Sequence, residues 1–184
     1  MSSCLKIATR RHVLSFAVGA SVLAVSACAP HTHTPAQDSV AASQIFLVRH
    51  AEKTKDKSDP ALTQAGQGRA QLLSNMLADS GITHIHSSDY KRTRDTAAPL
   101  AERLGIKVEL YDPRDLPAMA AKLKSMSGHH LVVGHSNTTG ELTELLGGEG
   151  GSPIIEATEY DRLYVVTPRS DGTVTTTLLR FGAN

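Results

Sequence analysis

From Gln44 onward, short continuous apolar runs alternate with longer segments whose apolar positions recur at helical spacing. Ile45–Val48 is the first run and reads as a buried strand. Asp59-Pro60-Ala61-Leu62-Thr63 leads into a helix with Leu62, Ala65, Leu72, Leu73, Met76 and Leu77 on its apolar side, stopped by Ser80-Gly81. A second strand over Ile82–Ser87 is followed by a helix over Tyr90–Leu104, which ends at Gly105. A third strand (Ile106–Leu110), a short helix (Leu116–Met126), a fourth strand (His130–Val133) and a helix over Asn137–Leu146 come next. After the glycine-rich loop Gly147–Gly151, two strands close the chain at Arg162–Thr167 and Thr173–Arg180, turning at Asp171-Gly172.

This alternation predicts a single-domain α/β fold, a three-layer α/β/α sandwich around a mostly parallel central sheet. Such sheets bind ligands beyond the carboxyl ends of their strands. Arg49-His50, Ser87-Ser88 and Gly134-His135 all fall at those ends.

The first 43 residues follow a different pattern. Lys6, Arg10 and Arg11 precede an apolar stretch from Val13 to Val25, and no acid occurs before Asp38. That stretch is short for a membrane span and has the form of a signal-peptide core. It ends in Val25-Ser26-Ala27-Cys28, which resembles a bacterial lipobox, so residues 1–27 are expected to be a lipoprotein signal peptide and Cys28 the lipidated residue. Thr9-Arg10-Arg11-His12-Val13-Leu14 also resembles a twin-arginine export signal, which leaves the export route open. Residues 28–43, with two prolines and few large apolar side chains, read as a flexible tether, and its His31 and His33 as polar linker. The domain proper spans 44–184. The expected location is the bacterial cell envelope, lipid-anchored and facing the periplasm, in either membrane.

Composition refines this only slightly. The full chain has a formal charge of +1; losing three basic residues with the leader leaves 16 basic against 18 acidic side chains, or −2. Nothing here favours nucleic acid, and no zinc-finger spacing or basic stripe occurs. The two cysteines, Cys4 and Cys28, leave no thiol for a disulfide in the domain.

The chemistry lies in three segments. Arg49-His50-Ala51-Glu52-Lys53 puts an imidazole able to attack phosphorus beside a guanidinium able to fork phosphate oxygens. Ser88-Asp89-Tyr90-Lys91-Arg92-Thr93-Arg94-Asp95-Thr96-Ala97 places Arg92 at a helix start, and Val133-Gly134-His135-Ser136-Asn137 places His135 after the fourth strand. Together with Leu62-Thr63-x-x-Gly66, this order resembles the histidine phosphatase superfamily, the phosphoglycerate-mutase-like fold, over roughly Gln44 to Arg180.

The resemblance implies that His50 becomes phosphohistidine, that Arg49 and Arg92 grip the phosphate, that a protonated His135 completes the pocket, and that neither metal nor other cofactor takes part. Ala51 stands where family members often have glycine, and a small residue still fits. The family usually carries its proton-donating carboxylate after the second arginine. Here Asp115 is the favoured donor and Asp112 the alternative, although aspartate before a short helix commonly caps it, and some small members lack an obvious acid. Glu52 is assigned to loop orientation. Lys53, Lys55 and Lys57 either recruit an anionic substrate or form a solvated loop. His84 and His86 share a strand face like a metal pair, but no third ligand is evident, and His129 is expected at the surface.

The leading expectation is a metal-independent phosphatase acting on a phosphorylated small molecule, with the membrane met only through lipid on Cys28. The alternatives are a phosphohistidine-protein phosphatase and a non-catalytic envelope lipoprotein that binds an anionic ligand in the same pocket. A mutase fits less well, because the chain lacks the extra segments that hold and reorient a bisphosphate. Specificity is expected in loops 53–61, 111–118 and 147–158.

Overall fold

A computed structural model of the chain describes residues 43–182. The expected signal peptide, Cys28, His31, His33 and all but the end of the tether lie outside the described residues. Six strands and four helices alternate in the expected order: β1 (Ile45–Arg49), α1 (Gln64–Leu77), β2 (Ile82–Ser88), α2 (Lys91–Leu104), β3 (Val108–Tyr111), α3 (Leu116–Ser125), β4 (His129–Gly134), α4 (Thr139–Leu145), β5 (Arg162–Pro168) and β6 (Val174–Arg180). The sheet order is β3-β2-β4-β1-β5-β6. The pairs β3–β2, β2–β4 and β4–β1 are parallel, while β5 runs antiparallel to both β1 and β6. The sheet is thus mixed and mostly parallel.

β1 is central and buried along its whole length, so it reads as an unbroken apolar run rather than an alternation. Phe46 and Val48 pack with Leu73 and Leu77 of α1 and with Ala97 and Leu100 of α2. Ile45 and Leu47, of opposite parity, pack with Leu116, Met119 and Leu123 of α3 and with Leu142 of α4. These two clusters make the three layers. Ile82 and Ile85 of β2 join the same cluster although they stand an odd three positions apart. A register shift between Ile82 and His84 reverses the parity and makes this possible.

The helix ends follow local chemistry. Thr63 caps α1 by accepting from the Gly66 amide at 3.1 Å. Gly105 closes α2 in the left-handed region at φ 66°, which a residue without Cβ adopts freely. One face differs from the expectation: Leu72 and Met76 are 37% and 43% exposed, and Ala65 is also exposed. The positions that α1 buries are Gly66, Arg69, Ala70, Leu73, Ser74 and Leu77. The helix therefore turns a partly polar face inward, because Arg69 is drawn to Glu52 and to the Phe181 carbonyl.

Candidate active site

Parallel pairing of β1 with β4 delivers the central histidine. Beyond the register pair Arg49–Gly134, the His50 amide still donates to the Gly134 carbonyl at 2.9 Å. The two neighbouring strands thereby present His50 and His135 side by side, with ring centroids 5.5 Å apart. Arg92, in the first turn of α2, places its guanidinium 3.3 Å from His135 Nδ1. With Lys53, Tyr90, Pro113, Arg114, Ser136, Asn137, Thr138 and Glu156, these three side chains line a cleft of about 270 Å³.

His50 is 3% exposed and its Nδ1 lies 2.7 Å from the Ala51 carbonyl. A carbonyl only accepts, so Nδ1 carries the proton and Nε2 keeps its lone pair. Burial pushes the imidazole pKa down to about 3; the Ala51 contact opposes this, and the charge of Arg49 and Arg92 adds to it. The ring is therefore neutral and nucleophilic across the ordinary pH range. Ala51 is itself buried with Leu62 and Ala70, and its amide donates to Thr96 Oγ1 at 2.9 Å, so the turn after His50 has space only for a small residue.

His135 is also neutral here, unlike the cation expected for a phosphate-bound site. Arg92 donates to its Nδ1, so Nε2 carries the proton and donates to Ser88 Oγ at 2.8 Å, and Ser88 Oγ passes a hydrogen bond to Thr93 Oγ1 at 3.1 Å. Burial lowers the pKa to about 4, with Arg92 and Arg49 adding to the shift. Tyr90 packs edge-on against the His135 ring at 5.0 Å and lies under the Arg92 guanidinium at 4.5 Å.

Arg49 is used differently from the expected phosphate fork. It is 2% exposed, does not line the cleft, and donates to the carbonyls of Glu159 at 2.8 Å, Glu156 at 2.7 Å and Ile155 at 3.4 Å. Its guanidinium also covers the Tyr160 ring at 4.0 Å. Arg49 therefore ties the end of β1 to the segment before β5. The Nε atoms of both Arg49 and Arg92 are buried without a hydrogen-bond partner. The orphaned donor on Arg92, which lines the cleft, suits an oxyanion that brings acceptors with it.

The two aspartates stand outside the cleft. Asp115 caps α3, accepting from the Ala118 amide at 3.1 Å, and Asp112 is held by Arg114 through two contacts of 2.9 Å. The carboxylate in the lining is Glu156, which the sequence reading passed over. No motif marks it; only the course of the segment ahead of β5 brings it to the cleft. Glu52 makes a paired contact with Arg69 at 2.7–3.0 Å. Lys53, Pro113 with Arg114, and Glu156 represent the three rim loops in turn. Arg94 turns to Asp89 and Asp59.

The histidine pair of β2 acquires a third member. His130 of β4 stacks on His84 at 4.8 Å and meets His86 with 3.2 Å between Nδ1 and Nε2. His84 pairs with His130 in the strand register, a relationship that no single segment reveals. The rings stack rather than converge, and among the described residues no group of three His, Cys, Asp or Glu side chains could hold a metal ion. His129 is half-buried rather than exposed, with its ring on the Ser80 carbonyl at 2.6 Å.

Comparison with known proteins agrees with this geometry. The histidine phosphatase superfamily (branch 1) matches residues 45–113. The probable phosphoglycerate mutase GpmB of Yersinia enterocolitica is 41% identical over 78 residues, covering 39% of this chain and 36% of that protein. Its counterpart in Serratia proteamaculans is 40% identical over the same shares. The chain thus spans little more than a third of the length of the curated relatives it matches. Among solved structures, the protein histidine phosphatase SixA complexed with tungstate has a TM-score of 0.60 at 23% identity, covering 74% of this chain and 96% of that one. A native mycobacterial glucosyl-3-phosphoglycerate phosphatase has a TM-score of 0.58 at 16% identity, covering 77% and 99%. The fold is similar to histidine phosphatase folds, and residues 45–113 match that superfamily and are similar to phosphoglycerate-mutase-like proteins.

Proposed function

We propose that this chain is a phosphatase that hydrolyses a phosphomonoester through phosphohistidine on His50. The observation that carries the reading is the fixed tautomer of His50, with Nδ1–H on the Ala51 carbonyl and a free Nε2 in the ring that lines the cleft. Nε2 attacks phosphorus, the ester P–O bond breaks, and the alcohol departs with a proton. The positive charge left on the ring is borne by Nδ1–H against the Ala51 carbonyl. Water then attacks phosphorus, the N–P bond breaks, and inorganic phosphate leaves. Arg92 faces the non-bridging oxygens and stabilises the charge that develops there, while His135, donating to Ser88 and accepting from Arg92, holds that guanidinium in place. Arg49 contributes its charge from behind and the position of the loop.

The test is hydrolysis of p-nitrophenyl phosphate in the presence of EDTA, with His50→Ala as the control. Release that depends on His50 and survives EDTA supports the reading. Equal release by the variant would sink the covalent step.

A second reading, phosphohistidine-protein phosphatase, draws support from the SixA-like fold, and phosphohistidine belongs in the substrate screen for that reason. Simple anion binding without turnover is less favoured, since binding alone does not need an imidazole held with Nε2 unprotonated. We also propose that the chain is lipidated at Cys28 and anchored to a membrane facing the periplasm, which the Val25-Ser26-Ala27-Cys28 sequence supports. Cys28→Ala should then release the protein from the membrane fraction; continued sedimentation would reject the anchor.

A further inference from the structure

A phosphoryl transfer to His50 leaves one task without a residue. The departing alkoxide needs a proton, and the attacking water must lose one. The histidines of the cleft are committed: His50 donates to Ala51, and His135 donates to Ser88 while accepting from Arg92. The nearby carboxylates are mostly bound to arginine. Glu52 is forked onto Arg69, Asp112 onto Arg114, Glu159 onto Arg162 and Arg180, and Asp161 onto Arg180. Asp115 is occupied as a helix cap.

Glu156 differs from all of these. It lines the cleft together with His50, Arg92 and His135, it is the carboxylate of that lining, and among the described residues its side chain forms no ion pair. Its backbone is nevertheless fixed. Arg49 holds the Glu156 and Glu159 carbonyls, while the Ile155 amide donates to Glu159 Oε2 at 2.9 Å. Arg162 grips the same Glu159 carboxylate and the Ser152 carbonyl, and Tyr164 Oη donates to the Gly150 carbonyl at 2.9 Å. A carboxylate on an anchored loop, with its side chain exposed and outside any ion pair, and with Arg49 as a charged neighbour, is suited to proton transfer at the mouth of the site.

We propose that Glu156 is the catalytic acid and base of this site, with the proton-donating carboxylate supplied by the segment ahead of β5 rather than by the segment that follows Arg92. The proposal rests on the phosphatase reading. As His50 Nε2 bonds to phosphorus and the ester P–O bond breaks, the Glu156 carboxyl gives its proton to the leaving oxygen. In the second half, the Glu156 carboxylate takes a proton from water as that water bonds to phosphorus and the N–P bond breaks. The cycle returns neutral His50 and protonated Glu156, with alcohol and inorganic phosphate as products.

The test compares leaving groups in the 184-residue chain and its Glu156→Gln variant, by kcat/KM, which reports the phosphorylation half. A nitrophenolate leaves readily without a proton; an alkoxide, as from glycerol phosphate, does not. The ratio of kcat/KM for p-nitrophenyl phosphate over glycerol phosphate should rise about 10²-fold or more in Glu156→Gln, the scale of general acid catalysis. An unchanged ratio with His50-dependent turnover intact would overturn the role of Glu156 and leave the phosphatase reading standing. Absence of His50-dependent turnover in the unmodified chain would overturn both.

Discussion

The guanidinium of Arg49 donates to the carbonyl of Glu156 at 2.7 Å, joining the strand that carries the nucleophile to the loop that carries the carboxylate of the cleft. The residue beside the nucleophile thereby sets the distance across the cleft, in addition to adding charge. Lysine has the charge but not the planar fork that reaches several carbonyls at once. Arg49→Lys should therefore lower kcat/KM by about 10²-fold, comparable to losing a fixed electrostatic donor. Amide hydrogen exchange should become faster over residues 155–160. Unchanged activity and unchanged exchange in Arg49→Lys would mean that Arg49 acts only through its charge.

The pH dependence follows from burial. An imidazole must be neutral to attack, and burial holds His50 at about 3 and His135 at about 4. In free enzyme, kcat/KM should be maintained from pH 6.5 down to pH 5, with its acid limb below that range. A limb centred near the ordinary histidine value of roughly 6.5 would show that the ring is hydrated.

Stability should fail at a milder acidity than activity chemistry requires. His86 and His130, both fully buried, are held down to about 4 by burial, His86 opposed by Glu109 and His130 disfavoured further by His84. Glu109 faces the cluster from β3, Lys122 from α3 and His129 from β4. Because the folded values lie below the unfolded one, the unfolded chain binds more protons between pH 6.5 and 4. The stabilisation is complete above pH 6.5 and falls as the pH drops toward 4. The urea midpoint should fall across that window, and His86→Leu should make the fall shallower. An unchanged slope would assign the acid sensitivity to His50 and His135 alone.

Gly66 is needed for close approach, not for an unusual backbone angle. A Cβ there would meet the Glu52 carbonyl oxygen at 2.2 Å. Gly66→Ala should destabilise the domain by about 1–3 kcal/mol through overpacking, although alanine is the better helix former. Thermal or urea unfolding measures this, and a neutral or stabilising result would show that the loop after His50 yields.

The legible parts of the molecule were those encoded locally. Ile45–Val48 read as a buried strand because β1 is covered on both faces, and Gly105 marked the end of α2 because a left-handed residue follows it. His50 and His135 were visible because each follows directly on a strand end, and Arg92 because it opens the helix after β2. Glu156 was not, since nothing in Pro153–Glu159 signals a route toward His50; that route depends on Arg49 and Arg162 gripping backbone carbonyls. His130 escaped notice as a neighbour of His84 for a related reason, because strand register belongs to the sheet as a whole. Leu72 and Met76 fit the apolar side of α1 by spacing but stay exposed, because Arg69, drawn to Glu52, sets which face of α1 is covered.

The amide of His50 continues the β1–β4 ladder by donating to Gly134, one residue past the end of the strand. The spacing of the two central imidazoles is thereby inherited from the near-constant pitch of a parallel sheet, about 4.8 Å between strands. The rim is built from three separate loops that do not share this constraint. Lengthening or exchanging those loops would alter which ester is accepted while leaving the seat of the phosphoryl group in place. A lineage built on this plan can diversify its substrates by insertion at the rim without rebuilding its chemistry.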